Sequence, residues 1–143
     1  MAHAERRITV PRSRAAVYAF LADVENMPEW IPAVQHLELV RGTAGTVGAE
    51  YDATVAVGGA TRSGRLTIEH LDPPSGMRAR ISAAPLRIDA IVTIAERAGG
   101  SDVAVALDAP TGGLLRLMEG PIAQVLDGTL DQLPRIVDAI PAE

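Results

Sequence analysis

The stretch that decides the fold is Tyr51-Asp-Ala-Thr-Val-Ala-Val-Gly-Gly-Ala-Thr-Arg-Ser-Gly-Arg-Leu66. Apolar and polar residues alternate on both sides of Gly58-Gly59, and a glycine pair between two such runs strongly indicates a two-residue β-hairpin. One face of this hairpin is mostly apolar, and the other is polar with a cross-strand ion pair. The turn predicts that Tyr51 pairs with Leu66, Ala53 with Gly64, Val55 with Arg62 and Asp52 with Arg65.

Three further turns predict cross-strand pairs in the same way. Gly99-Gly100 is a second glycine pair, and Asp72-Pro-Pro-Ser75 is a four-residue loop. A turn at Ala84-Pro85 is the weakest, because proline fits a two-residue hairpin poorly and a longer or cis-proline turn is an alternative. The predicted pairs are Arg97 with Asp102, Ile94 with Val105, Val92 with Leu107, Glu69 with Arg78, Ile68 with Ala79, Leu66 with Ile81, Arg80 with Asp89 and Ile81 with Ile88. Together they predict an antiparallel meander with one face toward solvent.

Two short helical patterns precede the meander. After a short strand at Arg6–Val10, Ser13 is a suitable N-cap for a helix with one apolar face. Asn26 is expected to cap a second, very short helix, with Pro28 in its first turn and Pro32 beyond its end. The apolar face of the first helix carries Val17, Phe20, Leu21 and Val24.

The C-terminal pattern has a helical period. Apolar residues recur on one face from Leu114 to Ile140, which predicts one amphipathic helix. A proline in a helix interior costs roughly 3 kcal/mol, because it removes a hydrogen bond and crowds the preceding turn. Pro121 and Pro134 therefore predict interruptions, with a kink or a break into two segments at Gly120-Pro121.

Composition limits the classes of function. The 143 residues are 48% hydrophobic and 22% charged, values that are typical of one globular domain spanning residues 1–143. The chain has no cysteine and no lysine, so thiolate and lysine chemistry are excluded. A net charge of −5 without a basic run argues against nucleic-acid binding. No segment approaches the roughly 18 apolar residues that span a bilayer, so a soluble, cytoplasmic protein without integral membrane association is expected.

The middle of the predicted inward sheet face is made of small residues. Ala53 is expected opposite Gly64, and Ala79 opposite Ala90. Because protein interiors are close-packed, a helix over such residues either approaches the sheet closely or leaves a void. An apolar void is a common ligand site, and Gly64→Leu is then expected to block uptake and leave the fold intact. The alternative is a compact core that the last helix fills.

Two polar residues, Arg62 and His70, are predicted to lie on the inward face of the sheet. They lie eight residues apart on one strand, about 27 Å at the usual rise, so one small ligand cannot contact both. Arg62 lies near a hairpin tip, where it either extends to water or binds a ligand carboxylate or enolate. His70 lies at the far end and is expected to be an ordinary core or edge residue.

Known catalytic motifs are absent from the sequence. His3, His36 and His70 lack the spacing of metal ligands, and there is no HExxH, GxSxG or strand-linked GxGxxG. The sequence therefore predicts no metal site and no cofactor, and it assigns no catalytic residue. It specifies no oligomeric state.

Several stretches resemble one family of proteins. They are Ile8–Asp23, Asn26–Pro32 with its Pro-x-Trp-x-Pro pattern, Val47-Gly48, and Leu71–Pro74. The chain resembles the START-like (SRPBCC) superfamily, and within it the bacterial polyketide cyclase/dehydrase and lipid transport family, over nearly its whole length. Leu71–Pro74 also resembles a related group of proteins that is named after carbon monoxide dehydrogenase.

The resemblance implies an α+β helix-grip fold like that of START and Bet v 1 proteins. A seven-stranded antiparallel sheet would wrap around a long C-terminal helix, with two short helices after strand 1 and a cavity between sheet and helix. In relatives the cavity mouth lies near two hairpin tips and the start of the last helix. These map here to Gly58, Gly59, Ala84, Pro85, Leu114 and Met118. The candidate ligand-binding residues are Trp30, Tyr51, Ala53, Val55, Arg62, Gly64, Leu66, Ala79, Ile81, Ile88, Ala90, Leu114, Met118 and Ile122.

The resemblance leaves three functions open, because a fold does not fix a function. The first is a carrier or sensor of a small apolar or amphipathic molecule, whose acidic head would lie at Arg62. The second is a metal-free aromatase/cyclase or dehydratase acting on a polyketide-like substrate. The few polar groups on the inward face disfavour it. The third is a protein-interaction module with a closed core.

Overall fold

One seven-stranded antiparallel sheet dominates the computed structural model, which describes residues 2–57, 59–83 and 86–140. The spatial order is β1-β7-β6-β5-β4-β3-β2, so each strand from β2 to β7 neighbours the next one along the chain. The strands are β1 (Ala2–Val10), β2 (Val34–Arg41), β3 (Glu50–Val57), β4 (Ala60–Asp72), β5 (Gly76–Ala83), β6 (Leu86–Arg97) and β7 (Gly100–Ala109). The first strand is longer than the predicted Arg6–Val10.

Two short helices join β1 to β2, as predicted. They are α1 (Arg14–Ala22) and α2 (Met27–Trp30), with a 3₁₀ turn between them. Ser13 caps α1, since its hydroxyl accepts a hydrogen bond from the Ala16 amide at 3.2 Å. Asn26 does not cap α2 with its side chain. Its amide group donates to the Phe20 carbonyl at 3.1 Å and ties the second helix to the first.

The C-terminal region is interrupted near both of the prolines that predicted a break, and its first segment is a 3₁₀ helix. A 3₁₀ segment (Gly113–Met118) leads into α3 (Glu119–Leu130), and α4 (Arg135–Ala139) follows a turn. Pro121 lies in the first turn of α3, where a missing amide costs little. Pro134 directly precedes α4, so the second predicted interruption lies between Leu130 and Arg135.

Two hairpins have the predicted register. In β3–β4, Val55 lies opposite Arg62 and Asp52 opposite Arg65. In β5–β6, Ile81 lies opposite Ile88. The predicted turn residues Gly58 and Ala84-Pro85 lie outside the described residues, but the pairing on both sides of them is as expected.

The β4–β5 hairpin differs from the prediction because β4 contains a bulge. Ile68 lies opposite Ala79 as expected, but Arg78 lies opposite His70, with Glu69 unpaired between them. An extra residue on one strand reverses the facing of the residues beyond it. His70 is consequently exposed on the outer face beside Arg78, so its predicted inward position is wrong.

The β6–β7 hairpin turns one residue earlier than predicted. Arg97 pairs with Gly100, and Ile94 with Val103, so the register differs by two residues. Gly99 has φ +82, a left-handed conformation that favours glycine. Gly100 is already in β7, where a Cβ atom would lie 2.2 Å from the Val10 carbonyl oxygen. It serves a close approach to β1 and not the turn.

The outer face of the sheet carries the predicted ion pairs. Arg65 lies 3.1 Å from Asp52, Arg78 3.4 Å from Glu69 and Arg97 3.0 Å from Asp102. Arg80 lies 2.9 Å from the buried carboxylate of Asp89. The first three pairs are at least partly exposed, and each contributes only about 0–1 kcal/mol.

A hydrogen bond from His3 to Asp108 joins β1 to β7 and predicts a pH effect. This bond raises the pKa of His3, because it favours the protonated ring. The stabilisation is therefore complete below the ordinary histidine pKa of about 6.5 and is lost as pH rises through the raised value. We expect His3→Gln to lower the melting temperature at pH 5.5 and to have a smaller effect at pH 8.5. An equal effect at both pH values would contradict this assignment.

Candidate functional site

An apolar cavity of about 60 Å³ lies between the inward face of the sheet and α3. The strands close one side of it, the α2–β2 connection closes a second, and one turn of α3 covers it. The lining residues are Met27, Ile31, Ala33, Val34, Val55, Ala56, Ile81, Ala83, Leu86, Ile88, Ala90, Leu107, Val125, Leu126 and Thr129.

The void follows from side-chain size along the strands. Ala83 and Ala90 present only methyl groups near the end of the sheet that carries the β5–β6 hairpin, whereas α3 contributes Leu126 on the opposite side of the cavity. Alanine cannot fill the space that α3 leaves there. The hairpin end of the inward face therefore holds the cavity.

The chemistry of the cavity is almost entirely apolar. Thr129 is its one hydroxyl among the described lining residues, and that hydroxyl donates to the Val125 carbonyl at 2.9 Å. No described lining residue carries an ionisable side chain. Such a site selects a ligand by its shape and apolar surface.

The structure brings four of the fourteen candidate residues to this cavity. They are Val55, Ile81, Ile88 and Ala90. Four others, Tyr51, Ala53, Leu66 and Ala79, are buried in the core and do not line the cavity.

The predicted contributions from the C-terminal region lie elsewhere. Met118 is 50% exposed, and Ile122 packs half-buried against the core. Neither lines the cavity, and the Leu114 side chain is outside the described part of the structure. The cavity is covered one to two turns later, at Val125, Leu126 and Thr129.

Gly64 does not lie over the void. A Cβ atom there would be 2.7 Å from the Ser82 carbonyl oxygen and 3.2 Å from the Ala83 Cβ. Gly64 therefore allows β4 to approach β5 closely. The expectation that Gly64→Leu would leave the fold intact is wrong, because the new side chain would meet fixed backbone.

The two remaining candidates are Arg62 and Trp30. Arg62 lies opposite Val55, but its side chain is exposed and does not line the cavity. Trp30 is buried at the end of α2, and its indole N–H has no acceptor among the described residues. It supports the core under the α2–β2 connection and does not line the cavity.

The α2–β2 connection is the part of the site that the sequence did not reveal. It supplies Ile31 and Ala33 to the cavity wall, next to Met27 of α2 and Val34 of β2. The Ala56 amide donates to the Ala33 carbonyl at 2.7 Å, which fixes this wall to β3. The sequence of this segment helped to identify the fold. It has no helical or strand period, however, so the direction of its side chains could not be inferred.

Two further classes of site are absent from the part of the chain that the structure describes. No three histidine or acidic side chains among these residues are grouped so that they could hold a metal ion. No helix within the same ranges is long and apolar enough to cross a membrane.

Solved structures share this architecture. Ara h 8.0201 superposes with a TM-score of 0.73 at 22% identity, covering 96% of each chain. The Zhui aromatase/cyclase from Streptomyces sp. R1128 gives 0.72 at 16% identity, covering 96% of this chain and 90% of its own. Major latex-like protein 151 from Panax ginseng gives 0.71 at 16%, covering 97% and 94%. At these identities the likeness shows the fold alone, which is the helix-grip fold of START-like and Bet v 1-like proteins.

Sequence comparison identifies the family. No curated protein matches the chain. The family model described as polyketide cyclase / dehydrase and lipid transport matches residues 1–138, nearly the whole sequence. The chain therefore belongs to the polyketide cyclase/dehydrase and lipid transport family.

Proposed function

We propose that this protein binds a small apolar or amphipathic molecule, as a carrier or sensor, in the cavity beneath α3. The observation that carries the proposal is the apolar lining of that cavity, with its hydroxyl already bonded to the helix backbone. A ligand would gain about 25 cal/mol for each Å² of apolar surface that it removes from water. Its affinity would come from burial and not from polar recognition.

The volume implies that binding enlarges the cavity. Engineered apolar cavities that hold benzene are about 150 Å³, and this one is about 60 Å³. A larger molecule must therefore displace part of the wall. The helix is the side that moves under this proposal, because the strands are joined through continuous backbone ladders.

A cyclase is the second candidate. Aromatase/cyclases occur among proteins of the same fold, including the Zhui enzyme. Ring closure of a poly-keto chain requires proton transfer by positioned groups, and none of the described lining residues is ionisable. Turnover of a poly-keto substrate by the purified protein would favour the enzyme over the carrier.

Two alanines provide a matched test of the cavity as the binding site. Ala90 lines the cavity, whereas its cross-strand partner Ala79 is buried outside it. We expect Ala90→Val to weaken binding of the neutral probe N-phenyl-1-naphthylamine about tenfold, because overpacking costs about 1–3 kcal/mol. Ala79→Val should leave the affinity unchanged. Fluorescence titration measures both.

Three outcomes would oppose the proposal. Equal losses in the two variants would place the probe elsewhere. No saturable binding to the wild type would favour a closed-core interaction module. Native mass spectrometry of the purified protein is the independent measurement. A co-purifying small molecule would support the carrier, and a ligand-free protein would oppose it.

A further inference from the structure

A second concavity lies on the surface directly outside the cavity. It is an open groove of about 470 Å³ between the α2–β2 connection and the α3–α4 region. Its lining residues are Ile31, Pro32, Ala33, Val125, Gly128, Thr129, Gln132 and Arg135. Four of them, Ile31, Ala33, Val125 and Thr129, also line the internal cavity.

The shared residues mean that one layer of side chains separates the groove from the cavity. Val125 is 37% exposed although it also lines the cavity. It is therefore in contact with both spaces. A shift of its side chain, or of this turn of α3, would join the groove to the cavity.

The two sides of this wall are held differently. On the strand side, the Ala33 carbonyl accepts a backbone hydrogen bond from Ala56 at 2.7 Å. On the helix side, α3 is joined to β1 by Arg6, whose guanidinium lies 3.2 Å from Asp127 and from Asp131. These ion pairs are solvent-exposed and contribute little to stability. The strand side is joined through backbone and the helix side through side chains, so we expect the helix side to move.

Charge changes from the cavity to the groove. The described cavity lining is uncharged, whereas the groove lining includes Gln132 and Arg135, neither of which lines the cavity. Arg135 is exposed and has no ion-pair partner among the described residues. A molecule that lies across the wall would contact apolar side chains in the cavity and the exposed guanidinium of Arg135 in the groove.

We propose that this groove is the entrance to the cavity, and that Arg135 binds the anionic head of an amphipathic monoanion whose apolar part enters past Val125. This inference rests on the proposed binding function and adds a route and a ligand class to it. It assigns the head group to Arg135 and not to Arg62.

Gly128 allows the route to be tested without disturbing the core. Beyond its chain neighbours and the backbone of its own helix, a Cβ atom at Gly128 meets no atom within 4 Å, and the same is true of Gly120 at the other end of α3. Gly128 lines the groove and Gly120 does not. We expect Gly128→Leu to slow association of N-phenyl-1-naphthylamine at least about tenfold in stopped-flow fluorescence. Gly120→Leu should match the wild type.

The head group is tested with a charged probe and a neutral one. Arg135→Gln should weaken binding of 1-anilinonaphthalene-8-sulfonate about fivefold at low salt, as for an exposed ion pair. The neutral N-phenyl-1-naphthylamine should be unaffected. Arg87, an exposed arginine on β6 outside both concavities, provides the matched control Arg87→Gln.

The outcomes separate this inference from the function on which it rests. Failure of both probes to bind the wild type would overturn the binding function itself. Normal binding with equal association rates in Gly128→Leu and Gly120→Leu would overturn the entrance alone. Equal loss of both probes in Arg135→Gln would overturn the head-group role. Loss of the anionic probe in Arg62→Gln but not in Arg135→Gln would return that role to Arg62.

Discussion

Gly100→Ala is expected to lower the melting temperature by about 10 °C. The added Cβ would lie 2.2 Å from the Val10 carbonyl oxygen and 3.0 Å from the Pro11 Cα, so it meets backbone on the adjacent chain segment. Val10 is held in place by its pairing with Ser101. Overpacking of this severity costs about 3 kcal/mol, and each kcal/mol is worth roughly 3 °C for a chain of this length. Thermal unfolding followed by circular dichroism measures the shift.

Gly112→Ala is the control for this prediction. Gly112 has φ −72, and a Cβ there has no atom within 4 Å apart from those of its chain neighbours. Alanine at a compatible position stabilises a protein by about 0.4–1 kcal/mol through the unfolded state. We therefore expect a small rise in melting temperature. A Gly100→Ala protein as stable as Gly112→Ala would show that β1 and β7 do not approach each other this closely.

Gly100 also shows how far a sequence determines register. The pair Gly99-Gly100 indicates a turn correctly, but the two glycines have different roles, since Gly99 adopts φ +82 and Gly100 accommodates β1. The predicted register between β6 and β7 is therefore wrong by two residues. Because side chains alternate with a period of two, the facing of Ile94 and Val105 was predicted correctly despite it.

A bulge changes the facing of the side chains beyond it, whereas the shifted β6–β7 turn does not. The extra residue at Glu69 changes the register by one, and this reverses the facing of His70. No glycine or proline in the sequence marks the position. The ion pair between Glu69 and Arg78 still forms at 3.4 Å, because long side chains reach across the irregularity.

The position of the cavity could not be predicted from the strands alone. Alternation identifies which residues face inward, but the helix decides which of them it covers. Here α3 packs mainly against β1 and is tied to it by Arg6. Ala53 and Ala79 are buried in the core, while Ala90 lies beside the void. The alternation of the strands therefore predicts which side chains face inward, but the position of the helix decides which of them line the cavity.

Leu126→Ala is expected to destabilise the protein and strengthen ligand binding at the same time. Leu126 is almost fully buried and lines the cavity from α3. Its truncation should cost about 2–5 kcal/mol, as for other buried leucines. The lost atoms would be added to the void, so a ligand no longer has to displace the helix before it binds. When the competent form is rare, making it permanent raises the apparent affinity.

We expect the affinity for N-phenyl-1-naphthylamine to rise about tenfold in Leu126→Ala, a gain of about 1.4 kcal/mol. Leu130→Ala is the control, because Leu130 is equally buried on the same helix but does not line the cavity. It should lose a similar amount of stability in urea denaturation and gain no affinity. General loosening of α3 would raise the affinity in both variants, whereas enlargement of the binding site raises it in Leu126→Ala alone. An unchanged or weaker affinity in Leu126→Ala would mean that the ligand does not occupy the space beneath α3.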